Sequence, residues 1–171
     1  FPQPRQRQGK SSRLSMIQRI QSVFLLFAFI DGLIALFAKE LVCFTLPNGA
    51  TFTLSSMGYG EAAAQANVTG LLPWGISFFS AAMVVMAIVT FFGYKNRKKQ
   101  MKQANLGIAA AVLWYAALAA YTFSIAQHVE GTTFNLSLNC VSPALTLFFF
   151  IMAKNRIRHD ERLVRAADRI R

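Results

Sequence analysis

Acidic residues, cysteine and histidine are scarce in this chain. Among 171 residues there are seven Asp and Glu, two Cys and two His. Two cysteines exclude a disulfide-dense scaffold and a multi-thiol cluster. His128 and His159 stand far apart with no Cys or acidic residue at ligand spacing, so no metal site is expected. No C-x-x-C pair, phosphate-binding glycine loop, nucleophile elbow or H-E-x-x-H helix occurs. No cofactor and no enzymatic activity are therefore expected. Zinc-finger, helix-turn-helix and RNP patterns are missing too, which argues against a nucleic-acid partner.

Apolar residues and positive charge are plentiful. The chain is 54% hydrophobic, with sixteen Phe against four Tyr and two Trp, and its net charge is +11. Four apolar segments account for most of this, at about 17–38, 71–94, 106–126 and 141–155. A helix needs ~20 residues to cross a ~30 Å hydrocarbon layer. The second and third segments meet that length outright. The first meets it when "MIQRIQS" supplies its leading turn, and the fourth is the shortest. "SPALTLFFF" places Ser142 at the N-cap and Pro143 at the first helical position. Asp31 interrupts the first segment, and "LIALFAKE" lacks a small-x-small cleavage site, so an uncleaved span is expected and not a signal peptide.

The basic residues fall in three groups. Arg5, Arg7, Lys10, Arg13 and Arg19 precede the first span, and Lys95, Arg97, Lys98, Lys99 and Lys102 separate the second from the third. Lys154, Arg156, Arg158, Arg162, Arg165, Arg169 and Arg171 follow the fourth, leaving Lys39 alone on the other side. The positive-inside rule then places both termini and the 95–105 loop in the cytoplasm. Orientation and headgroup attraction account for the charge without nucleic acid.

On the outer side, "VCFTLPNGATFTL" reads as a hairpin turning at Pro-Asn-Gly, and "TTFNLSLNC" offers a third strand. "GYGEAAAQANVTG" reads as a mobile loop. The sequons at 67–69 and 135–137 matter only in a eukaryotic secretory pathway. The expected architecture is an all-α membrane protein, a four-transmembrane-helix bundle with a small outer hairpin or three-stranded sheet. Residues 1–15 form a polar leader expected to be disordered, and 16–171 a single membrane domain. Met16 is an alternative start, because the recognisable pattern follows it.

Several residues carry alternative readings. Asp31 is the lone acid within a span; it is either a proton or cation site, or a carboxyl hydrogen-bonded to Ser77, Ser80, Tyr115 or Tyr121. Cys43 and Cys140 fall at the outer face, as a structural disulfide or as free thiols. Gly107-x-x-x-Ala111 and Ala116-x-x-x-Ala120 permit close helix approach, within the bundle or between copies. Trp74 and Tyr94 sit where interfacial anchors form. Over 156–171, Ile157, Leu163, Val164, Ala167 and Ile170 make an apolar stripe among mixed charges, with Glu161 and Arg165 at ion-pairing distance along a helix. This predicts a C-terminal amphipathic cytoplasmic docking helix, set at the interface or against a protein groove.

Two stretches carry a family resemblance. "MIQRIQSVFLLFAFI" from Met16 and "IRHDERLVRAADRIR" from Ile157 resemble the two ends of domain-of-unknown-function family 4293, small four-span proteins of the bacterial inner membrane. The matching tail residues are Asp160, Glu161, Leu163, Val164, Arg165, Asp168, Arg169 and Arg171, with Ile170 where Leu is more usual. The resemblance implies topology and a bacterial inner-membrane location, and carries no activity. The expected role is a non-catalytic accessory, scaffold or assembly subunit, whose partners are membrane lipids and another membrane protein or a second copy. The alternatives are a small transporter or channel using Asp31, and a thiol-dependent membrane enzyme using Cys43 and Cys140.

Overall fold

The computed structural model describes residues 5–60, 63, 73–93 and 96–169, leaving aside the side chains of 5–19, 164, 165 and 167–169. In chain order the elements are α1 (Arg5–Leu36), β1 (Val42–Thr45), β2 (Thr51–Leu54), α2 (Trp74–Phe92), α3 (Arg97–His128), β3 (Thr133–Leu136) and α4 (Ser142–Arg169). A 3-10 turn, Leu138–Val141, joins β3 to α4. Helix α1 packs on α2 and α4, and α3 packs on the same two, so the helices form a ring with α2 and α4 on one diagonal. Among the described residues, three helical stretches are long and apolar enough to cross a membrane: Trp74–Phe92, Arg97–His128 and Leu138–Leu163. The apolar part of α1, Ile20–Leu36, is shorter.

Small residues line the closest helix contacts, and many large apolar side chains face outward. Ala28, Ala35, Ala87, Ala104, Ala111 and Ala153 are buried between helices, while Leu26, Phe27, Ile34, Phe78, Val112, Phe123 and Phe148 are exposed. Gly107 shows why. A Cβ there would stand 2.5 Å from the Phe150 ring, so the ring lies directly on the α3 backbone. The Gly107-x-x-x-Ala111 pair therefore packs inside the bundle, whereas Ala116 and Ala120 face outward.

The hairpin and third strand form as the sequence predicts, in an antiparallel sheet of order β2-β1-β3. Gly49 adopts φ +82°, the left-handed region that the turn needs, and Asn48 Oδ1 accepts from the Ala50 amide at 2.9 Å. Phe44 opposes Phe52 on one side and Phe134 on the other, and the Phe44 and Phe52 rings stack at 5.0 Å. One apolar sheet face, carrying Val42, Phe44, Phe52 and Leu54, closes the end of the bundle beside the fully buried Trp114.

Polar groups join the sheet end to the helices. Trp114 Nε1 donates to Ser80 Oγ at 2.8 Å, Ser80 Oγ lies 3.4 Å from Ser56 Oγ, and Ser77 Oγ donates to the Ser56 carbonyl. Tyr115 donates to the Cys140 carbonyl at 2.5 Å.

Three expectations are corrected. The backbone is helical from Arg5, where the sequence suggests a disordered leader over 1–15. Arg, Gln, Lys and Leu are good helix formers, and extending a helix nucleated by an apolar span costs little. The fourth span and the tail are one helix, Ser142–Arg169, since no Gly or Pro interrupts the chain after Pro143. Ser142 is not an N-cap: its backbone is already helical, and its hydroxyl donates to the Asp31 carbonyl at 2.6 Å. The loop expected to be mobile falls largely outside the described residues, as do the 67–69 sequon and Tyr94. Trp74 is exposed at the start of α2.

Gly107→Ala drives a methyl into the Phe150 ring, and overpacking of this kind costs about 1–3 kcal/mol. The variant melts at a lower temperature in detergent, and Gly107→Ala combined with Phe150→Leu melts above the Gly107→Ala single variant. Two reductions in stability that simply add would overturn the contact.

Candidate functional site

At the end of the bundle away from the sheet, a short corner brings the start of α3 against α4. Asn96 caps α3, its Oδ1 accepting from the Lys99 amide at 3.3 Å. Gly93 leaves room for the corner, since a Cβ there would lie 2.7 Å from Gln103 Oε1. Gln100 is buried and donates from Nε2 to the Thr90 carbonyl at 3.0 Å, so a side chain of α3 satisfies an end carbonyl of α2.

One turn before Gln100, Arg97 Nη1 donates to Asp160 Oδ2. Asp160 is 2% exposed and the Arg97 side chain 30%, so the carboxylate is buried and its partner reaches it from the rim. Asp160 Oδ1, Thr90 Oγ1 and Gln103 Oε1 have no hydrogen-bond partner among the described residues. An ion pair so placed contributes little net stability, but removing one partner leaves a buried charge and costs about 3–5 kcal/mol.

The predicted docking helix is thereby divided between two surroundings. Ile157 and Asp160 turn onto the chain's own bundle, while Arg158, His159, Arg162 and Leu163 are exposed. Glu161 is half-buried. The side chains of Val164, Arg165, Asp168 and Arg169 lie outside the described residues.

Asp31 takes none of the partners expected for it. Ser77, Ser80 and Tyr115 bind the sheet end as described, and Tyr121 accepts from the Gly75 amide at 3.3 Å. Among the described residues no hydrogen bond involves the Asp31 carboxylate; only its backbone carbonyl is engaged, by Ser142. Asp31 lies five residues before the end of α1, about 7 Å along the axis, which sets it near the sheet end and away from mid-span.

Cys43 and Cys140 are free thiols in the structure, in place of a bridge. Strand alternation turns Cys43 to the face opposite Val42 and Phe44, while Cys140 packs against the core that those residues close. Cys140 Sγ donates to the Leu41 carbonyl at 3.1 Å. His128 and His159 lie at opposite ends of the bundle, and among the described residues no three His, Cys, Asp or Glu side chains group as a metal site. Burial, reinforced by nearby Tyr121, pushes the Tyr59 phenol up to about 12, so it serves as a neutral hydrogen-bonding group and not as a base.

Arg97→Ala strands the Asp160 charge, loosening α4 beyond Ile157. Limited proteolysis of the detergent-solubilised chain should then cut 158–169 about a hundredfold faster or more, the least expected from a loss of about 3–5 kcal/mol. Arg97→Met with Asp160→Leu, which removes both charges, restores near-native resistance. Equal cutting in all three proteins would show that the pair does not hold the helix.

No curated protein and no solved structure matches this chain. The family described as domain of unknown function (DUF4293) matches residues 17–170, from the apolar part of α1 to the end of α4. That span includes both quoted stretches except Met16 and Arg171, with the Arg97–Asp160 pair and the sheet, and the chain belongs to this domain-of-unknown-function family.

Proposed function

We propose that this chain is a four-span protein of a bacterial inner membrane, with both termini and the 95–105 loop cytoplasmic. In this reading it acts as a non-catalytic accessory or assembly subunit of a membrane complex. The observation that carries the membrane reading is the belt of exposed Phe, Leu, Ile and Val around helices whose contacts are lined with Ala and Gly. Water would oppose that arrangement at about 25 cal/mol per Å2 of apolar surface, and lipid does not. Ile20–Leu36 completes a fourth crossing when the helix is counted from its preceding turns, and α1 is helical there. Basic residues cluster beyond the end of the bundle that lacks the sheet, as the positive-inside rule requires for a cytoplasmic end.

The subunit role rests on α4. It leaves the bundle as a continuous helix, is held at Asp160, and presents Leu163 with Arg158 and Arg162 beyond the hydrocarbon region. An exposed leucine among arginines suits a protein groove or an anionic headgroup layer. The acidic residues interleaved in this tail make it a poor phosphate-backbone binder. Asp31 near one helix end and two separated thiols supply no comparable support for transport or thiol chemistry.

Reporter fusions test the topology: a periplasmic reporter at residue 60 should be active, and cytoplasmic reporters should be active after residues 96 and 171. A photo-crosslinking amino acid at Leu163 tests the role. In native membranes it should yield one reproducible protein adduct, lost in Arg97→Ala. Adducts with lipid alone would overturn the subunit reading.

A further inference from the structure

Two contacts fix how α3 and α4 lie beside each other. Arg97 reaches Asp160 and Phe150 lies on Gly107, so the ten residues from Arg97 to Gly107 match the ten from Asp160 back to Phe150. The helices therefore run antiparallel in one register, which sets Arg158 level with Lys99 and Lys154 level with Gln103. Rotation follows from the neighbours. On α4, Phe149 stacks on Phe27 of α1 and Phe150 faces α3. Continuing the same way round, Lys154 lies about 40° and Arg158 about 80° beyond Phe150. On α3, Gln100 faces α2 and Arg97 faces α4, and Lys98 lies about 100° further round, away from α2. Lys98, Lys154 and Arg158 therefore border one outer groove between α3 and α4. Lys98 and Arg158 are exposed and Lys154 is half-buried, so a ligand from outside the bundle can reach them.

The charge of this groove is unopposed. Asp160 is taken by Arg97, Glu161 on the same side has an interaction of its own, and among the described residues no ion pair engages Lys98, Lys154 or Arg158. Towards the middle of the bundle the groove turns apolar. Leu147 and Ile151 stand seven residues before Lys154 and Arg158, hence on the same face of α4, and Val112 faces them from α3. Ile151 and Val112 are 40% and 53% exposed. In the membrane reading, on which this inference rests, the cations lie at the cytoplasmic headgroup level and the apolar part beside the acyl chains. A ligand that meets both parts carries negative charge at the head of a hydrocarbon chain. An acidic protein segment would match the cations and leave Val112 and Ile151 uncovered.

We infer that the outer groove between α3 and α4 binds one anionic glycerophospholipid of the cytoplasmic leaflet, with Lys98, Lys154 and Arg158 around its phosphate and an acyl chain along Val112 and Ile151. General attraction of basic loops to headgroups acts on every side of the helix ends. This site is confined to one side, because Lys99 and Arg156, exposed cations at nearly the same level, turn to other sides by the same geometry.

The test uses the full chain in phosphatidylethanolamine liposomes with a minor share of phosphatidylglycerol. A photo-crosslinking amino acid replaces either Ile151, in the groove, or Val85, exposed on α2, and lipid adducts are identified by mass spectrometry. At Ile151 the phosphatidylglycerol fraction of the adducts should exceed its bilayer share about fivefold or more, the factor expected from a single cation beside an anionic headgroup. At Val85 it should equal the bilayer share. Lys154→Gln with Arg158→Gln should return the Ile151 adducts to that share. Lys99→Gln with Arg156→Gln, which removes the same charge from other sides, should leave the excess in place. Adducts at bilayer share at Ile151, an excess that survives loss of Lys154 and Arg158, or an equal fall in the Lys99 and Arg156 double variant overturns the inference. Flotation separates the two failures: protein that floats with the liposomes but shows no excess removes the groove site alone, and protein that does not float removes the membrane reading with it.

Discussion

The close approach of helices at Ala and Gly is the constraint on which the rest of the structure depends. In the membrane reading proposed above, no hydrophobic drive brings the helices together, because lipid chains are as apolar as leucine. Association must come from many short contacts, each individually small. The sequence meets this by lining the closest helix contacts with Gly107 and a set of alanines, against which buried large residues such as Phe150 and Trp114 pack, while many Phe, Leu, Ile and Val side chains face outward. Phe150 rests on the Gly107 backbone, and a Cβ at Gly32 would stand 3.1 Å from Val84.

Such packing is weakly directional, and the sheet end compensates with polar bonds between elements distant in sequence. Trp114 to Ser80 joins α3 to α2, and Ser77 to the Ser56 carbonyl joins α2 to the segment after β2. Asn139 Nδ2 reaches the Glu40 carbonyl at 2.9 Å, and Ser142 reaches that of Asp31. The bonds to the Ser56 and Glu40 carbonyls satisfy backbone oxygens just outside β2 and β1, where otherwise water would have to serve. The sheet is therefore a fixed cap, and its third strand overhangs because the bundle is only wide enough to cover the other two.

What could be read in advance depended on the range of the cause. The hairpin was legible because Pro47, Asn48 and Gly49 determine their turn locally, and the second and third helices because their apolar runs are long. The continuity of α4 was obscured by a change of composition at Lys154, although nothing in the backbone chemistry changes there. Helicity over 5–15 was missed for the same reason, polar composition being taken for lack of structure. Ser142 has the residue type and position of a cap, yet a 3-10 turn precedes it and frees its hydroxyl for α1. Arg97 with Asp160 left no signal, since 63 residues separate them and each has a sufficient local explanation, topology for one and a mixed-charge helix for the other.

The two ends of α4 explain why a buried ion pair is kept at all. Apolar faces in contact can slide by a residue or rotate by a fraction of a turn at small cost, so Phe150 on Gly107 alone does not set the register of a 28-residue helix. Ser142 ties its beginning to Asp31, and Asp160, eighteen residues and about 27 Å further, ties it to Arg97. Two polar bonds at that separation fix translation and rotation together. Desolvation offsets most of the pair's attraction, so its contribution is to register more than to stability. Only nine residues of α4 follow Asp160, too short a length to bend appreciably, and their direction is therefore set by the bundle from which they emerge.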